Sequence, residues 1–172
     1  MKNILLALSL VLLGVLVIGC KEEKEDAEDE AAEAKAPRVA AAGPGWEAKF
    51  LADLPALGHR NWVVVADAAF PLQISPGMEV VVSNEDHFAV LGKVLKALGQ
   101  AKHVRPKVYL DKELDYVPEA LAPGMDACRK RLKDMLAGLD AKPILHEELI
   151  ARMDQVARTF RILMIKTNLT LP

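Results

Sequence analysis

The residues best suited to chemistry bracket a short apolar run, Trp62 to Ala66. His59 enters this run just after Gly58, and Asp67 leaves it. A continuous run of mostly β-branched residues between polar ones predicts a strand that is buried on both faces. An imidazole, whose usual pKa is ~6.5, can give or take a proton near neutral pH. A carboxylate can orient an imidazole or accept a hydrogen bond from a hydroxyl, so the segment offers the parts of an acid–base site.

Both residues also have an ordinary explanation. Ligands of α/β proteins bind at the carboxyl ends of parallel strands, which favours a functional Asp67. A cap or turn residue ahead of Pro71 accounts for the same aspartate equally well. A histidine that follows a glycine, such as His59, is more often a satisfied surface or loop residue than a catalyst. Local evidence therefore leaves both assignments open.

Taken together, residues 58–71 resemble the D-ribose pyranase and L-fucose mutarotase family. That family's motif reads Gly-His-x-Asp, an apolar strand, then Asp-Ala-x-x-Pro; here His59 and Asp67 stand eight residues apart, as in the motif, and Phe70-Pro71 matches the fucose-type ending. The order of elements agrees over roughly residues 50–172. The resemblance implies an isomerase that interconverts cyclic forms of a monosaccharide such as ribose or fucose. It also implies homo-oligomeric rings in which a site borrows residues from a neighbour.

Opening and reclosing a cyclic hemiacetal requires a proton given to the ring oxygen and one taken from the anomeric hydroxyl. A histidine can do both, so no metal and no cofactor is required. We expect His59 to be catalytic, with Asp67 orienting it or holding a sugar hydroxyl. Substrate contacts are expected from Asn61, Phe70 and His146.

The chain departs from the family pattern in three ways. Asn61 replaces the usual Asp two residues after the histidine, and His146 stands about one turn earlier than the family's second histidine. The family's C-terminal Tyr-x-Asn would begin after Pro172, where the sequence stops directly after an apolar strand, so we expect the natural domain to continue. Asn61 and the missing Tyr-x-Asn favour an alternative, a non-catalytic sugar-binding or assembly module on the same fold. A structural surface lipoprotein without a ligand is the third possibility.

The first nineteen residues read as an export signal. Lys2 precedes an apolar run from Ile4 to Ile18, which is shorter than the ~20 residues that span a bilayer comfortably. The run ends at Val17-Ile18-Gly19-Cys20, which resembles the lipobox of bacterial lipoproteins and implies cleavage before Cys20 and lipidation of its thiol. An uncleaved anchor is the alternative. Either way the domain is expected in the cell envelope, held on a membrane at the periplasmic or outer surface.

The rest of the chain divides at Gly45. Residues 20–45 are a lipid-bearing Cys20 followed by an acidic linker, whose segment 21–36 holds eight acids and three bases and no large apolar residue. Residues 46–172 form one domain with 17 bases against 16 acids, a balance that argues against a nucleic-acid partner. Once Cys20 is lipidated only Cys128 remains, so no intrachain disulfide is expected.

Apolar periodicity within this domain predicts alternating helices and strands. Helices are expected at 46–57, 87–98, 125–139 and 147–160, and strands at 62–66, 78–82, 107–110 and 161–167. Gly99 is expected to stop the second helix. The alternation predicts an α/β fold: a single three-layer domain with a mainly parallel sheet flanked by helices, ribose-pyranase-like by the resemblance.

Three further groups of residues are weaker candidates for a functional site. Glu85-Asp86-His87 precedes the strongest helix, which makes capping more plausible than metal binding. His103 lies among basic residues and is expected in a solvated patch. Cys128 has no histidine nearby in sequence, so a packed thiol is expected.

Overall fold

The computed structural model describes residues 2–9, 39–40 and 45–170, the first two ranges as backbone only. It contains four α-helices: α1 (Trp46–Asp53), α2 (His87–Gln100), α3 (Met125–Met135) and α4 (His146–Ala157). Seven strands are described: β1 (Lys2–Ser9), β2 (Val39–Ala40), β3 (Trp62–Ala66), β4 (Met78–Val82), β5 (Val104–Asp111), β6 (Ala141–Ile144) and β7 (Ile162–Lys166). Short 3-10 turns occupy Leu54–Ala56 and Lys112–Tyr116.

The strands form one sheet in the order β2-β4-β7-β3-β1-β5-β6, and every pairing described is parallel. The predicted α/β class with a parallel sheet is therefore confirmed. All strands point the same way, so the sheet has one amino edge and one carboxyl edge. Side chains at the two edges cannot meet within one chain unless a loop carries them across.

Helices cover both faces of the sheet. Residues of α1, α2 and α3 pack with alternate strand residues such as Val63 and Val65 in one apolar core. Residues of α4 pack on the other face with Trp62, Val64 and Ala66. The chain moves outward through β5 to β6 and then returns to β7, and a right-handed crossover places the returning helix on the opposite face.

Several helices end at other residues than predicted. The runs 62–66 and 78–82 are strands with the expected limits, whereas α2 continues through Gly99 to Gln100. The helix expected over 125–139 ends at Met135, and Gly138 takes a positive φ of 83° in the turn that follows. The edge strand β6 was not predicted.

The backbone of β1 lies between β3 and β5 and pairs with both. These residues belong to the segment predicted to be an export signal, which was expected to lie outside the folded domain. A chain cleaved before Cys20 would lack this strand, so cleavage and this seven-stranded sheet are alternative states of the molecule. Among the described residues, no helix is both long enough and apolar enough to cross a membrane.

Candidate functional site

The carboxyl edge of the sheet gathers polar side chains where β3 and β5 end. The chain leaves β3 toward β4 on one side and leaves β5 toward β6 on the other. Such divergence creates the crevice in which open α/β sheets place their ligands. We name five residues at this edge the carboxyl-edge cluster: Asp67, Phe70, Asp111, Glu113 and His146.

Asp67 shapes the loop that carries Phe70 into the cluster. Its Oδ1 accepts the backbone N–H groups of Ala69 and Phe70 at 2.7 and 2.8 Å, and the Asp67 side chain is buried. Lys166 Nζ donates to the carbonyl oxygen of Phe70 at 2.8 Å. The turn role expected as the ordinary explanation of Asp67 is therefore confirmed, and the loop is held from both sides.

The centre of the cluster is an acid–imidazole pair. Nδ1 of His146 lies 2.7 Å from Oδ2 of Asp111, whose side chain is inaccessible to solvent, whereas His146 is 19% exposed. The Phe70 ring meets the His146 ring edge-on, with centroids 6.2 Å apart. Nδ1 is thus occupied by Asp111, and Nε2 is the nitrogen that remains for a ligand.

A second carboxylate supports this pair. Glu113 Oε2 accepts the backbone N–H of His146 at 3.0 Å, which satisfies a donor in the first turn of α4. Burial, together with a hydrogen bond to Glu113, raises the pKa of Asp111 to about 6, against the opposing effect of His146. The same hydrogen bond, with Asp111 as the partner, lowers the pKa of Glu113. Two carboxyl groups beside one imidazole, with pKa values moved in opposite directions, are typical of acid–base chemistry.

His87 lies on the other side of β3, buried at the start of α2. The Thr167 hydroxyl donates to Ala66 O at 3.0 Å, so the His87 Nδ1–H donates to Thr167 Oγ1, 3.1 Å away. Nε2 is buried and has no hydrogen-bond partner among the described residues. Burial lowers the pKa of His87 to about 4, so this imidazole is neutral at physiological pH. Capping at this segment is also confirmed, since Asp86 accepts the N–H of Ala89 at 3.0 Å.

His59 stands at the amino edge, in the turn before β3, and does not meet Asp67 within the chain. The five residues of β3 separate the two, and a strand of that length spans roughly 16 Å. The expectation that Asp67 orients His59 is therefore wrong for a single chain. The structure instead brings His146 and Phe70 together and places both with Asp67 at the carboxyl edge.

Asn61 also lies at the amino edge and holds the turn that contains His59. Its Oδ1 accepts the N–H of Gly58 at 2.8 Å, and its Nδ2 donates to Arg161 O at 3.3 Å. A cavity of about 430 Å³ at this edge is lined by His59, Asn61 and Phe160, among others. Asn61 thus has a structural role, and contact between it and a substrate stays a prediction.

The remaining candidates fall outside the cluster. His103 is exposed, and its Nε2 lies 3.1 and 3.2 Å from the carbonyl oxygens of Leu54 and Leu57. Cys128 is packed in the core, as expected, and burial raises the pKa of its thiol. The predicted lipidation site, Cys20, lies outside the described residues.

Sequence reasoning missed Asp111 and Glu113. A signal was present, because Asp111 directly follows the apolar end of a predicted strand, as Asp67 does. Its partner His146 lies 35 residues further on, and only the sheet order brings the two together. In the part of the chain that the structure describes, no group of three or more His, Cys, Asp or Glu side chains is arranged to hold a metal ion.

Comparison with known proteins gave no match to a family model, to a curated protein or to a solved structure.

Proposed function

We propose that this domain is a monosaccharide mutarotase or pyranase whose proton carrier at the carboxyl edge is His146. The observation that carries the proposal is the 2.7 Å contact between His146 Nδ1 and the buried carboxylate of Asp111. This contact fixes the imidazole ring and stabilises its protonated form, while Nε2 stays available to a sugar.

The reaction needs one proton moved in each direction. Nε2 of neutral His146 takes the proton of the anomeric hydroxyl while His59 of the partner subunit gives a proton to the ring oxygen. The bond between C1 and the ring oxygen then breaks to give the open-chain aldehyde. Ring closure on either face of the aldehyde reverses these transfers. No redox step is involved. Phe70 is 1% exposed and packs edge-on against the His146 ring, so it supports the imidazole and does not face the sugar, contrary to the expected substrate contact.

His59 enters the proposal through assembly. It lies at the amino edge and His146 at the carboxyl edge, so a head-to-tail contact between two copies places one residue opposite the other. Contacts of this heterologous kind close into rings when the rotation between neighbours permits. The family resemblance implies the same arrangement, a ring of identical chains in which each site takes residues from two of them. His59 then supplies the second proton donor or acceptor.

Exchange between sugar forms tests the catalytic proposal directly. Saturation-transfer NMR on ribose and fucose should show faster anomer or ring-form exchange with the protein than without it. His146→Ala should lower this acceleration about 10²- to 10⁴-fold, the usual contribution of a general acid or base. His103→Ala is the matched control and should leave it unchanged. A His146→Ala variant as active as the parent would overturn the proposal.

Mixing variants tests the assembly. His59→Ala and His146→Ala are each expected to be inactive. When subunits of the two variants are mixed at a 1:1 ratio and exchanged, an intact His146 should face an intact His59 in about one quarter of the sites. The mixture should therefore recover about one quarter of the parent activity. A site contained in one chain would recover nothing. A monomer in light scattering at micromolar concentration would contradict both the ring and the shared site.

A binding module on the same fold is the second candidate, and Asn61 favours it. Its amide donates to Arg161 O, which the aspartate usual in the family cannot do when ionised. The residue is therefore adapted to holding the turn rather than to supplying charge. Sugar binding in calorimetry without accelerated exchange would establish this function instead.

We also propose that the chain is an exported lipoprotein held on a membrane of the cell envelope by Cys20. The support is the sequence Val17-Ile18-Gly19-Cys20 and the acidic linker that follows. Cys20→Ser should release the protein from membranes or leave it unprocessed. An unchanged mass and unchanged membrane fractionation would rule this out.

A further inference from the structure

A second cavity, of about 630 Å³, opens at the amino edge on the face covered by α4. Its wall includes Trp62, the first residue of β3, and His59 and Arg60 before that strand. Two further arginines come from the helix side: Arg152 within α4, and Arg158 directly after it. The volume lies within the range of small-molecule sites.

The wall is rich in hydrogen-bond donors and poor in negative charge. Guanidinium and indole groups donate hydrogen bonds and cannot accept them. No Asp or Glu is among the residues of the wall; its neutral polar groups include Gln155 and Thr159. Such a lining complements a ligand group that only accepts hydrogen bonds and carries negative charge.

The arginines are only partly neutralised by their neighbours. Arg152 pairs with Glu148 at 2.5 Å, and Arg158 makes no ion pair among the described residues. The Arg60 guanidinium lies 5.3 Å from the centre of the Phe160 ring. One carboxylate therefore stands against three cations, and an aromatic ring rather than an acid holds Arg60 in place.

Trp62 adds an unused donor. The residue is 2% exposed and stacks on Tyr109 with ring centroids 5.7 Å apart. Its Nε1–H has no hydrogen-bond partner among the described residues. Buried polar groups are nearly always paired in folded proteins, so an orphaned indole in the wall of a cavity points to a missing acceptor.

We propose that this cavity binds the phosphate group of a small ligand through Arg60, Arg158 and the Trp62 indole. A dianionic phosphate offers several acceptor oxygens and matches the guanidinium forks better than a single carboxylate does. His59, which the proposed sugar chemistry takes from a neighbouring copy, also lines this cavity, but the phosphate contacts proposed here use none of the proton-carrying residues.

The two tryptophans of the chain provide the readout. In ¹H–¹⁵N NMR spectra, inorganic phosphate should shift the indole signal of Trp62. That of Trp46, whose Nε1–H already donates to Glu85 at 2.8 Å, should stay in place. Acetate at equal ionic strength should act far more weakly, which separates phosphate from a carboxylate ligand. Trp62→Phe assigns the signal.

Charge variants locate the site by calorimetry with inorganic phosphate. Arg60→Gln and Arg158→Gln should each weaken binding about 10-fold or more, the scale of one charge-assisted hydrogen bond. Glu148→Gln, which frees Arg152, should strengthen it. Lys130→Gln removes the same charge from a 79% exposed position on α3 and should have no effect. His146→Ala should also bind phosphate normally, so a failed sugar assay leaves this result interpretable.

Several results would overturn the phosphate site. An unshifted Trp62 signal would do so, as would equal shifts of both indole signals. Binding that Arg60→Gln and Arg158→Gln leave intact would exclude the cavity as the site. If Lys130→Gln weakened phosphate binding as much as Arg158→Gln does, the phosphate would be attracted to surface charge in general and not to this cavity.

Discussion

Oδ2 of Asp111 lies 2.7 Å from Nδ1 of His146, although the two residues belong to different strand–helix units of the chain. The carboxylate is sealed from solvent, and the imidazole is 19% exposed. This buried acid behind a partly exposed base gives the carboxyl edge its chemical character.

The pH dependence of exchange should report on this pair. Because burial raises the pKa of Asp111 to about 6, the ionised form that stabilises a His146 cation is lost as the pH falls through that value. The exchange rate should therefore decline below about pH 6. Asp111→Asn should lower the rate about 10²- to 10⁴-fold at pH 7 and remove the titration of residue 111. A flat profile from pH 5 to 7, with Asp111→Asn as active as the parent, would contradict the assignment.

His87 should make the fold less stable in acid. Burial lowers its pKa to about 4, while the nearby Asp67 and Asp86 act in the opposite direction. Above pH 6.5 neither the folded nor the unfolded form is protonated at this residue, so it contributes no pH dependence. Below that value only the unfolded form gains the proton, and the free energy of unfolding falls with a slope of about 1.4 kcal/mol per pH unit.

Urea unfolding at pH 7 and pH 5 measures this effect. The loss of stability between the two should be about 2 kcal/mol smaller in His87→Gln than in the parent, since glutamine has no proton to gain. Equal losses in the two proteins would show that His87 titrates normally in the folded state.

Gly77 is required for close packing against the end of α4. A Cβ at this position would lie 2.3 Å from Phe160 O and 2.5 Å from Ala157 O, and both contacts are with backbone. Gly77→Ala should destabilise the domain by at least about 2 kcal/mol, because helix or strand must shift. Gly99→Ala is the control: nothing lies within 4 Å, and alanine inside α2 should stabilise by about 0.5–1 kcal/mol. Equal unfolding free energies for the two variants would contradict the packing.

Hydrogen exchange can decide what the N-terminal strand contributes. β1 pairs with both β3 and β5, so a chain that starts at residue 20 leaves both without a partner on one side. Backbone amides of β3 and β5 should then exchange at least about tenfold faster than in the chain that starts at residue 1. Amides of β4, which pairs with β2 and β7, should keep their protection. Identical protection in both chains would show that β1 is not part of the sheet in solution.

Local patterns were sufficient where burial dominates. The continuous apolar run of Trp62 to Ala66 predicts a strand buried on both faces, and all five residues are buried. The edge strand β6 escaped prediction because three of its four residues are exposed and one is Pro143, so neither alternation nor an apolar run marks it. Gly99 does not end α2, because the helical backbone continues past it to Gln100.

The site was less accessible to sequence reasoning than the fold. The position of Asp67 after a buried strand placed it at the carboxyl edge, where the structure also brings Phe70 and His146 together. That Asp67 and His146 serve a substrate stays a prediction. The pairing of His59 with Asp67 failed because spacing along the chain does not say which end of a strand faces the crevice. Asp111 meets His146 only through the order of strands in the sheet, which no local pattern encodes.

The position of β7 also sets when the protein can fold during its own synthesis. This strand is the last described, yet it lies between β3 and β4 and hydrogen-bonds to both. A ribosome adding roughly 5–20 residues per second needs on the order of 4 to 17 s to pass from the end of β4 to the end of β7. Throughout that interval β3 and β4 lack the strand that pairs with both of them. A nascent chain of this topology is consequently exposed to chaperones before its sheet can close.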